Sequence, residues 1–435
     1  MSHGGTNNNM TPKLSGINRL KSLCKRGEKN QYELGNIKKV LFSLNNPQEI
    51  PYTIHVAGTN GKGSVCAAVS QILVSFGYRV GCTISPHLLR INERILYNSD
   101  EISNDELNSY LLKVFDKSDL LEIKLSYFEA LIAVAYLYFS EKECDFQIIE
   151  VGLGGRLDAT NIVKRDKISV IVSIDYDHTE LLGDTLYQIA YEKACIINDG
   201  SKVILGQVSQ EAFKGIEKRL REVQLAKIRI INKDFGWLEG KIKNCFFTKS
   251  RDGERNIVNF NPSLLGKHQL NNMAVALEVC NQVVPEKLVQ AAHAISHVTW
   301  PGRIEVIENK EKGNFIVDGA HNPAGVKSLL SYLKEQRERN YQIIFGVLAS
   351  KNWKEMINEL AKLFKNWIVL EIKSEQQSVK SAQLAEYLSC IGIKNISTAQ
   401  DIKEAILISD HDKIKIICGS LYMIGDAREE LLKRN

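Results

Sequence analysis

One segment constrains this chain more than any other. An apolar strand, Tyr52 to Ala57 (YTIHVA), runs directly into Gly58-Thr59-Asn60-Gly61-Lys62-Gly63-Ser64 and then into a helical pattern over residues 64–76. A strand, a glycine turn and a helix in immediate succession is a layout that closes backbone N–H groups around phosphate oxygens. Lys62 offers a charge for the terminal phosphates, and Ser64 a hydroxyl for magnesium. The strict G-x-x-x-x-G-K-[ST] pattern is not met, because Gly63 separates lysine from serine and Val56 stands where the first glycine belongs. A plain glycine-rich turn is the alternative, and the strand-to-helix context disfavours it.

Further apolar runs follow at residues 79–84 (RVGCTI), 146–151 (FQIIEV), 168–174 (ISVIVSI) and 202–206 (KVILG), separated by helical patterns such as residues 184–197. That alternation predicts an α/β fold with a doubly wound, mostly parallel sheet and helices on both faces. Between about residues 226 and 260 the runs turn short and alternating, with 244–248 and 256–260 joined by Arg251-Asp252-Gly253-Glu254. These predict antiparallel hairpins at one edge of the sheet. Two helical patterns span about residues 270–297. Trp300-Pro301-Gly302 then interrupts the chain and sets the expected domain boundary, dividing 11–299 from 300–435. A smaller, Rossmann-like α/β domain is expected beyond it, with strands at 315–317, 342–345, 367–370 and 414–418.

Composition narrows the classes. With 435 residues, 44% hydrophobic and 25% charged, the chain has room for two or three domains with large cores. Its 56 basic and 51 acidic residues leave a formal charge of +5, spread rather than blocked. That is too thin an excess to argue for nucleic acid, though it suits polyanionic small molecules. Nine cysteines, none in a C-x-x-C pair, suggest neither a disulfide framework nor a zinc ribbon and fit a reducing, cytoplasmic compartment. The most apolar run, residues 128–139, is far shorter than the roughly 20 residues that cross a bilayer, and predicts a buried helix. Residues 1–10 (MSHGGTNNNM) match neither a signal nor a transit peptide and are expected to form a disordered tail.

Other clusters fall at strand ends. Glu150 closes the run 146–151 and opens Glu150 to Asn161 (EVGLGGRLDATN); a carboxylate there lies near the crevice of an open α/β sheet, where it can hold Mg²⁺. The following strand leads into Asp175-Tyr176-Asp177-His178. His178 is either a metal ligand or a satisfied histidine, and its strand-end position leaves the two evenly matched. Lys193, on an apolar-patterned helix, reads by itself as a snorkelling surface lysine. In the second half, Val317-Asp318-Gly319-Ala320-His321-Asn322-Pro323 puts Asp318 and His321 on a crevice loop, while Asn322-Pro323 is also a good helix start. Cys418-Gly419-Ser420 follows another strand, as a crevice loop or a tight turn.

Together these segments resemble the folylpolyglutamate synthase and dihydrofolate synthase branch of the Mur ligase family. The resemblance runs from about residue 32 to near the end and includes residues 55–64 (HVAGTNGKGS), 85–95 (SPHLLRINERI), 150–161, 266–272 (GKHQLNN), 300–303 (WPGR), 318–323 (DGAHNP) and 419–422 (GSLY). It implies an ATP-dependent ligase that phosphorylates a pterin-bearing carboxylate, dihydropteroate or a reduced folate, to an acyl phosphate that the amine of L-glutamate attacks. ATP would lie in the loop Gly58, Thr59, Asn60, Gly61, Lys62, Gly63 and Ser64, gripped by Asn272, Arg303 and Asp318 across a closing domain boundary. Residues 11–299 would hold ATP and pterin, and 300–435 would be the glutamate-ligase domain.

The resemblance also implies ligands for two Mg²⁺ ions: Ser64, Ser85, Glu150 and His178, with Lys193 carrying a carbamate. A free ammonium cannot hold Mg²⁺, whereas a carbamate oxygen can. Cys195 replaces a glycine of the family motif around that lysine. His321 would arrange the acyl phosphate or the glutamate. For the pterin, the matching stretches are Glu33, Leu34, Gly35 and Asn36; Ser126, Tyr127, Phe128 and Glu129; and Leu157, Asp158 and Ala159. The family further suggests a monomer. Ser350-Lys351-Asn352 and residues 374–381 depart from the family pattern, which leaves glutamate-side contacts the least defined. A peptidoglycan-type Mur ligase is the nearest rival, and it carries a further domain ahead of its phosphate loop. A P-loop switch without ligase activity is the rival from another class.

Overall fold

The computed structural model describes residues 15–24, 33–240, 245–251, 254–336, 340–374 and 377–433. The expected tail 1–10 and the turn residues 252–253 lie outside these. The first sheet comprises β1 (Tyr52–Ala57), β2 (Val80–Thr83), β3 (Ile95–Tyr97), β4 (Asp100–Glu101), β5 (Phe146–Glu150), β6 (Ile168–Ile171), β7 (Lys202–Leu205) and β8 (Lys227–Ile230). Their order is β4-β3-β2-β5-β1-β6-β7-β8. All pairings from β2 to β8 are parallel. Because helices cover both faces, residues 53–57 of β1 are all buried, and the strand reads as a continuous apolar run rather than an alternating one.

The chain leaves β1 for β2 on one side and returns to place β5 between them, and only then crosses to β6 on the other side. The carboxyl ends of β1, β5 and β6 therefore meet at a switch point, where open α/β sheets bind ligands. The helix Lys62–Ser75 starts at that point and packs into one core with the helix Lys267–Val283. On the opposite face lies Tyr127–Glu141, whose residues 130–139 are all buried, as the apolar run predicts. Among the described residues no helix is long and apolar enough to cross a membrane.

Of the 226–260 region, β8 extends the first sheet as a parallel strand, whereas the hairpins do not join it. β9 (Phe235–Glu239), β10 (Cys245–Arg251) and β11 (Glu254–Phe260) form a separate antiparallel sheet ordered β11-β10-β9. Phe235, Phe247 and Phe260 are buried in the same core as the helix Lys267–Val283, and this anchors the small sheet. The antiparallel edge of the large sheet comes instead from β3 and β4 at the opposite end.

The third sheet has β12 (Glu305–Asn309), β13 (Gly313–Val317), β14 (Tyr341–Phe345), β15 (Asn366–Leu370), β16 (Asn395–Ala399) and β17 (Ile414–Cys418), ordered β12-β13-β17-β14-β15-β16. Only its edge strand β12 runs antiparallel. The carboxyl ends of β13 and β17 carry the loops at Asp318 and Ser420 toward the first sheet's switch point.

Candidate active site

A cavity of about 460 Å³ opens at the meeting of the two large sheets, within the size range of small-molecule sites. Its floor is the loop from Gly58 to Ser64. Gly61 sits at φ 85°, and a Cβ there would meet Asn272 Oδ1 at 2.6 Å, so neither the backbone nor the neighbour admits a side chain. Gly63 faces Trp300 as closely, with a Cβ falling 2.8 Å from Cζ2 of the indole. Lys62 Nζ donates to the carbonyls of Gly58 at 3.2 Å and Thr59 at 3.3 Å. Ser64 Oγ is buried without a hydrogen-bond partner.

Glu150, the last residue of β5, stands across from Lys62 at 3.9 Å and accepts the Ser85 backbone N–H at 2.9 Å. Burial raises its carboxyl above the usual range, partly offset by Lys62 and that N–H. Lys193, a surface residue by its helix pattern alone and a metal-site residue by the family resemblance, is buried: its helix, Leu186–Ala194, presses it against the phosphate loop, where Nζ donates to the Gly58 carbonyl at 3.2 Å. Burial, aided by Lys62, pushes its ammonium down to about 7. His178, with a left-handed backbone at φ 51°, precedes the short helix Thr179–Leu182 and faces the cavity. Burial pushes its imidazole down to about 4, so the ring is neutral near pH 7.

The second domain supplies the facing wall. Asp318 is held by two backbone donors, Ile304 N–H at 2.8 Å and Ala320 N–H at 2.9 Å. Arg303 reaches in beside it; burial opposes its charge, with Asp318 and Glu150 offsetting part of that. His321 is oriented by an Nδ1–H bond to the Gly319 carbonyl at 2.8 Å. Asn322 caps the helix Pro323–Glu335 through Gly325 N–H at 2.8 Å, as the Asn-Pro pair predicts. Lys351 crosses from the same domain to Asp177 at 2.6 Å and lies 3.3 Å from His178 Nε2. The sequence reading gave neither Asp177 nor Lys351 a role, because they are 174 positions apart.

Of the stretches expected to line a pterin pocket, Glu33, Leu34, Ser126, Phe128, Glu129, Leu157, Asp158 and Ala159 line the cavity. Gly35, Asn36 and Tyr127 do not. Gly35 and Asn36 begin the helix Gly35–Ser43 with Asn36 directed at the Lys124 carbonyl, and Tyr127 lies beneath Arg94, 5.6 Å from guanidinium carbon to ring centre. Ser126 and Glu129 form a capping box that starts the helix Tyr127–Glu141, which satisfies much of their polar capacity locally. Phe128 and Asp158 flank Gly152, where a Cβ would strike the phenyl ring at 2.6 Å. Arg94, His268, Gln269 and Ser420 also reach the cavity.

Two family models match the chain: the Mur ligase middle domain over residues 56–280 and the Mur ligase, glutamate ligase domain over residues 302–421. These define the class, an ATP-dependent ligase of two α/β domains. The chain belongs to the folylpolyglutamate synthase and dihydrofolate synthase branch of the Mur ligase family. It is 30% identical to folylpolyglutamate synthase of Lacticaseibacillus casei, covering 98% of this chain and 99% of that one. It is 31% identical to the dihydrofolate synthase/folylpolyglutamate synthase of Bacillus subtilis over 92% and 94% of the two chains. Among solved structures, folylpolyglutamate synthase from Thermotoga maritima superposes with a TM-score of 0.81 at 32% identity, covering 96% of each chain. E. coli FolC in complex with DHPP and ADP superposes at 0.84 with 25% identity, covering 96% and 97%.

Proposed function

We propose that this chain joins L-glutamate to dihydropteroate and to reduced folates, using ATP to convert the acid to an acyl phosphate. The observation that carries the reading is one continuous cavity lined by the phosphate loop, by Phe128 and Asp158, and by Asp318 and His321 of the facing domain. Such a cavity can hold a nucleotide, an aromatic acid and an amine together. The E. coli complex with DHPP and ADP and the bifunctional name of the B. subtilis relative support both acids.

In this reading the loop N–H groups and Lys62 bind the phosphates, Asn272 lies near the base, and Arg303 and Asp318 close over the nucleotide. Residues 11–299 hold ATP and pterin, and 300–435 bring glutamate. Arg303, Lys62 and the loop dipoles favour the phosphoryl charge that builds up as the carboxylate attacks. His321 arranges the acyl phosphate or the incoming amine. Phe128 offers a stacking face to the pterin and Asp158 an acceptor for its N–H groups.

The donors present fit magnesium. Ser64 Oγ is buried and unpartnered, Glu150 supplies a carboxylate, His178 a neutral nitrogen and Ser85 a hydroxyl. Among the described residues no group of three or more His, Cys, Asp or Glu side chains forms a metal cage. That suits Mg²⁺, which keeps waters and takes substrate phosphate oxygens rather than a full protein shell. When bound it neutralises phosphate charge. The lowered basicity of Lys193 favours the free amine that attacks CO₂: an N–C bond forms, a proton leaves, and the carbamate offers an oxygen donor.

The test is ADP release from the purified chain, supplied with L-glutamate and either dihydropteroate or tetrahydrofolate. Release with both acids, dependent on glutamate, is expected. Release with tetrahydrofolate alone reduces the enzyme to a folylpolyglutamate synthase, and release with neither overturns the folate assignment.

A further inference from the structure

Behind the pterin wall a line of four buried polar side chains crosses the sheet. Lys167, at the entry to β6, is fully buried, and its Nζ lies 3.2 Å from His55 Nδ1. His55, on β1 and also fully buried, has Nε2 at 2.8 Å from Thr160 Oγ1. Thr160 Oγ1 is 2.5 Å from Asp158 Oδ1, and its backbone N–H donates to the same oxygen at 3.0 Å. Asp158 Oδ2 accepts Leu153 N–H at 2.8 Å. Asp158 alone of the four faces the cavity.

Burial pushes the Lys167 ammonium down to about 7, so below that pH the lysine can only donate and His55 Nδ1 must accept. The imidazole, neutral in this buried setting, then carries its proton on Nε2 and donates to Thr160 Oγ1. The threonine hydroxyl, its lone pair used, sends its own proton to the Asp158 carboxylate. Burial raises the Asp158 carboxyl and its hydrogen bonds from Thr160 and the Leu153 N–H offset part of that; with the carboxylate ionised and Lys167 protonated, the two neutral links give a one-way chain of donors.

We propose that Lys167, His55 and Thr160 are positioning residues that hold the Asp158 carboxylate ionised and fixed in rotation, as the acceptor edge for the heterocycle of the acid substrate. This rests on the ligase reading above. Chemically, a flat ring with adjacent N–H donors is selected, because such a ring stacks on Phe128 while it donates to a carboxylate that cannot turn away. The relay reaches the cavity through Asp158, since none of Lys167, His55 and Thr160 lines it, and its effect is therefore expected on binding of the acid.

Two measurements test it. In the wild-type chain with ¹⁵N-labelled histidine at about pH 6, where Lys167 is an ammonium, and with His55 assigned through His55→Gln, NMR is expected to show an Nε2–H tautomer with Nδ1 unprotonated. Steady-state kinetics of Thr160→Val and Lys167→Met are expected to show KM for dihydropteroate raised about tenfold, with KM for ATP and kcat within about twofold of wild type, and Thr160→Ser restoring the wild-type KM. An Nδ1–H tautomer, or an unchanged KM in folded Thr160→Val, overturns the relay. If the valine variant does not fold, the tautomer in the unmodified chain decides. Wild-type protein that turns over no pterin acid overturns the ligase reading instead, and the tautomer still decides the relay.

Discussion

Asn60, in the phosphate loop, and Asn322, at the head of a helix in the second domain, exchange two side-chain hydrogen bonds, Asn60 Nδ2 to Asn322 Oδ1 at 3.2 Å and Asn322 Nδ2 to Asn60 Oδ1 at 3.0 Å. The pair ties the nucleotide loop to the facing domain. Removing two such bonds costs about 1–2 kcal/mol. Asn60→Ala is therefore expected to lower kcat/KM for ATP roughly 5- to 30-fold with little change in Tm. Asn322→Ala should lower both, because it also removes a helix cap worth about 1 kcal/mol. Unchanged kinetics in Asn60→Ala would show that the contact has no part in closure.

The Lys351–Asp177 bridge also ties the domains, with side chains only 9% and 11% exposed. Burial alone would raise the Asp177 carboxyl, but the His321 hydrogen bond, Lys351 and His178 together hold it well below the usual range. Lys351→Met removes the nearest cation from that carboxylate, leaving His321 and Asn322 beside it, and should destabilise the protein by up to about 3 kcal/mol, with Asp177→Asn in the same chain recovering part of the loss. Denaturant unfolding of the two single variants and the double variant measures the coupling.

At Gly63 the indole of Trp300 fills the space a methyl group would need. Gly63→Ala is expected to cost about 1–3 kcal/mol by overpacking and to weaken ADP binding, with Trp300→Phe relieving the clash. Calorimetric ADP titration of Gly63→Ala, alone and with Trp300→Phe, reads this directly. Equal losses in both backgrounds would locate the defect in the loop itself.

Lys193 sets a pH dependence. Its folded-state pKa, about 7, lies below the ordinary lysine value, so the ammonium persists below that pH and the nucleophilic amine gains above it. Enzyme stripped of CO₂ should regain activity with bicarbonate at about pH 8 and much less at about pH 6, while Lys193→Ala responds at neither. A bicarbonate response equal at both pH values, or an unmodified amine by mass spectrometry of active enzyme, contradicts the carbamate.

What the sequence made legible was local. The phosphate loop, the strand ending in Glu150 and the Asn322-Pro323 helix start each declare themselves within a dozen residues, and each lies where that pattern indicates. β3 and β4 went unread because they are three and two residues long, and β12 and β16 because edge strands expose much of their length and lack an apolar run. Lys193 looked like a surface residue because helical periodicity reports which face is buried only when the neighbouring elements are known. The contacts of Lys351 with Asp177 and of Lys167 with His55 join residues 174 and 112 positions apart, and no local pattern encodes them.

In the proposed reaction the acid is activated as an acyl phosphate in this cavity. If dihydropteroate labelled with ¹⁸O in its carboxylate is ligated to glutamate, one labelled oxygen must pass to the inorganic phosphate when the amine displaces it. Mass spectrometry of that phosphate is predicted to show one ¹⁸O per amide formed; phosphate released without label, alongside amide product, would rule out an acyl phosphate.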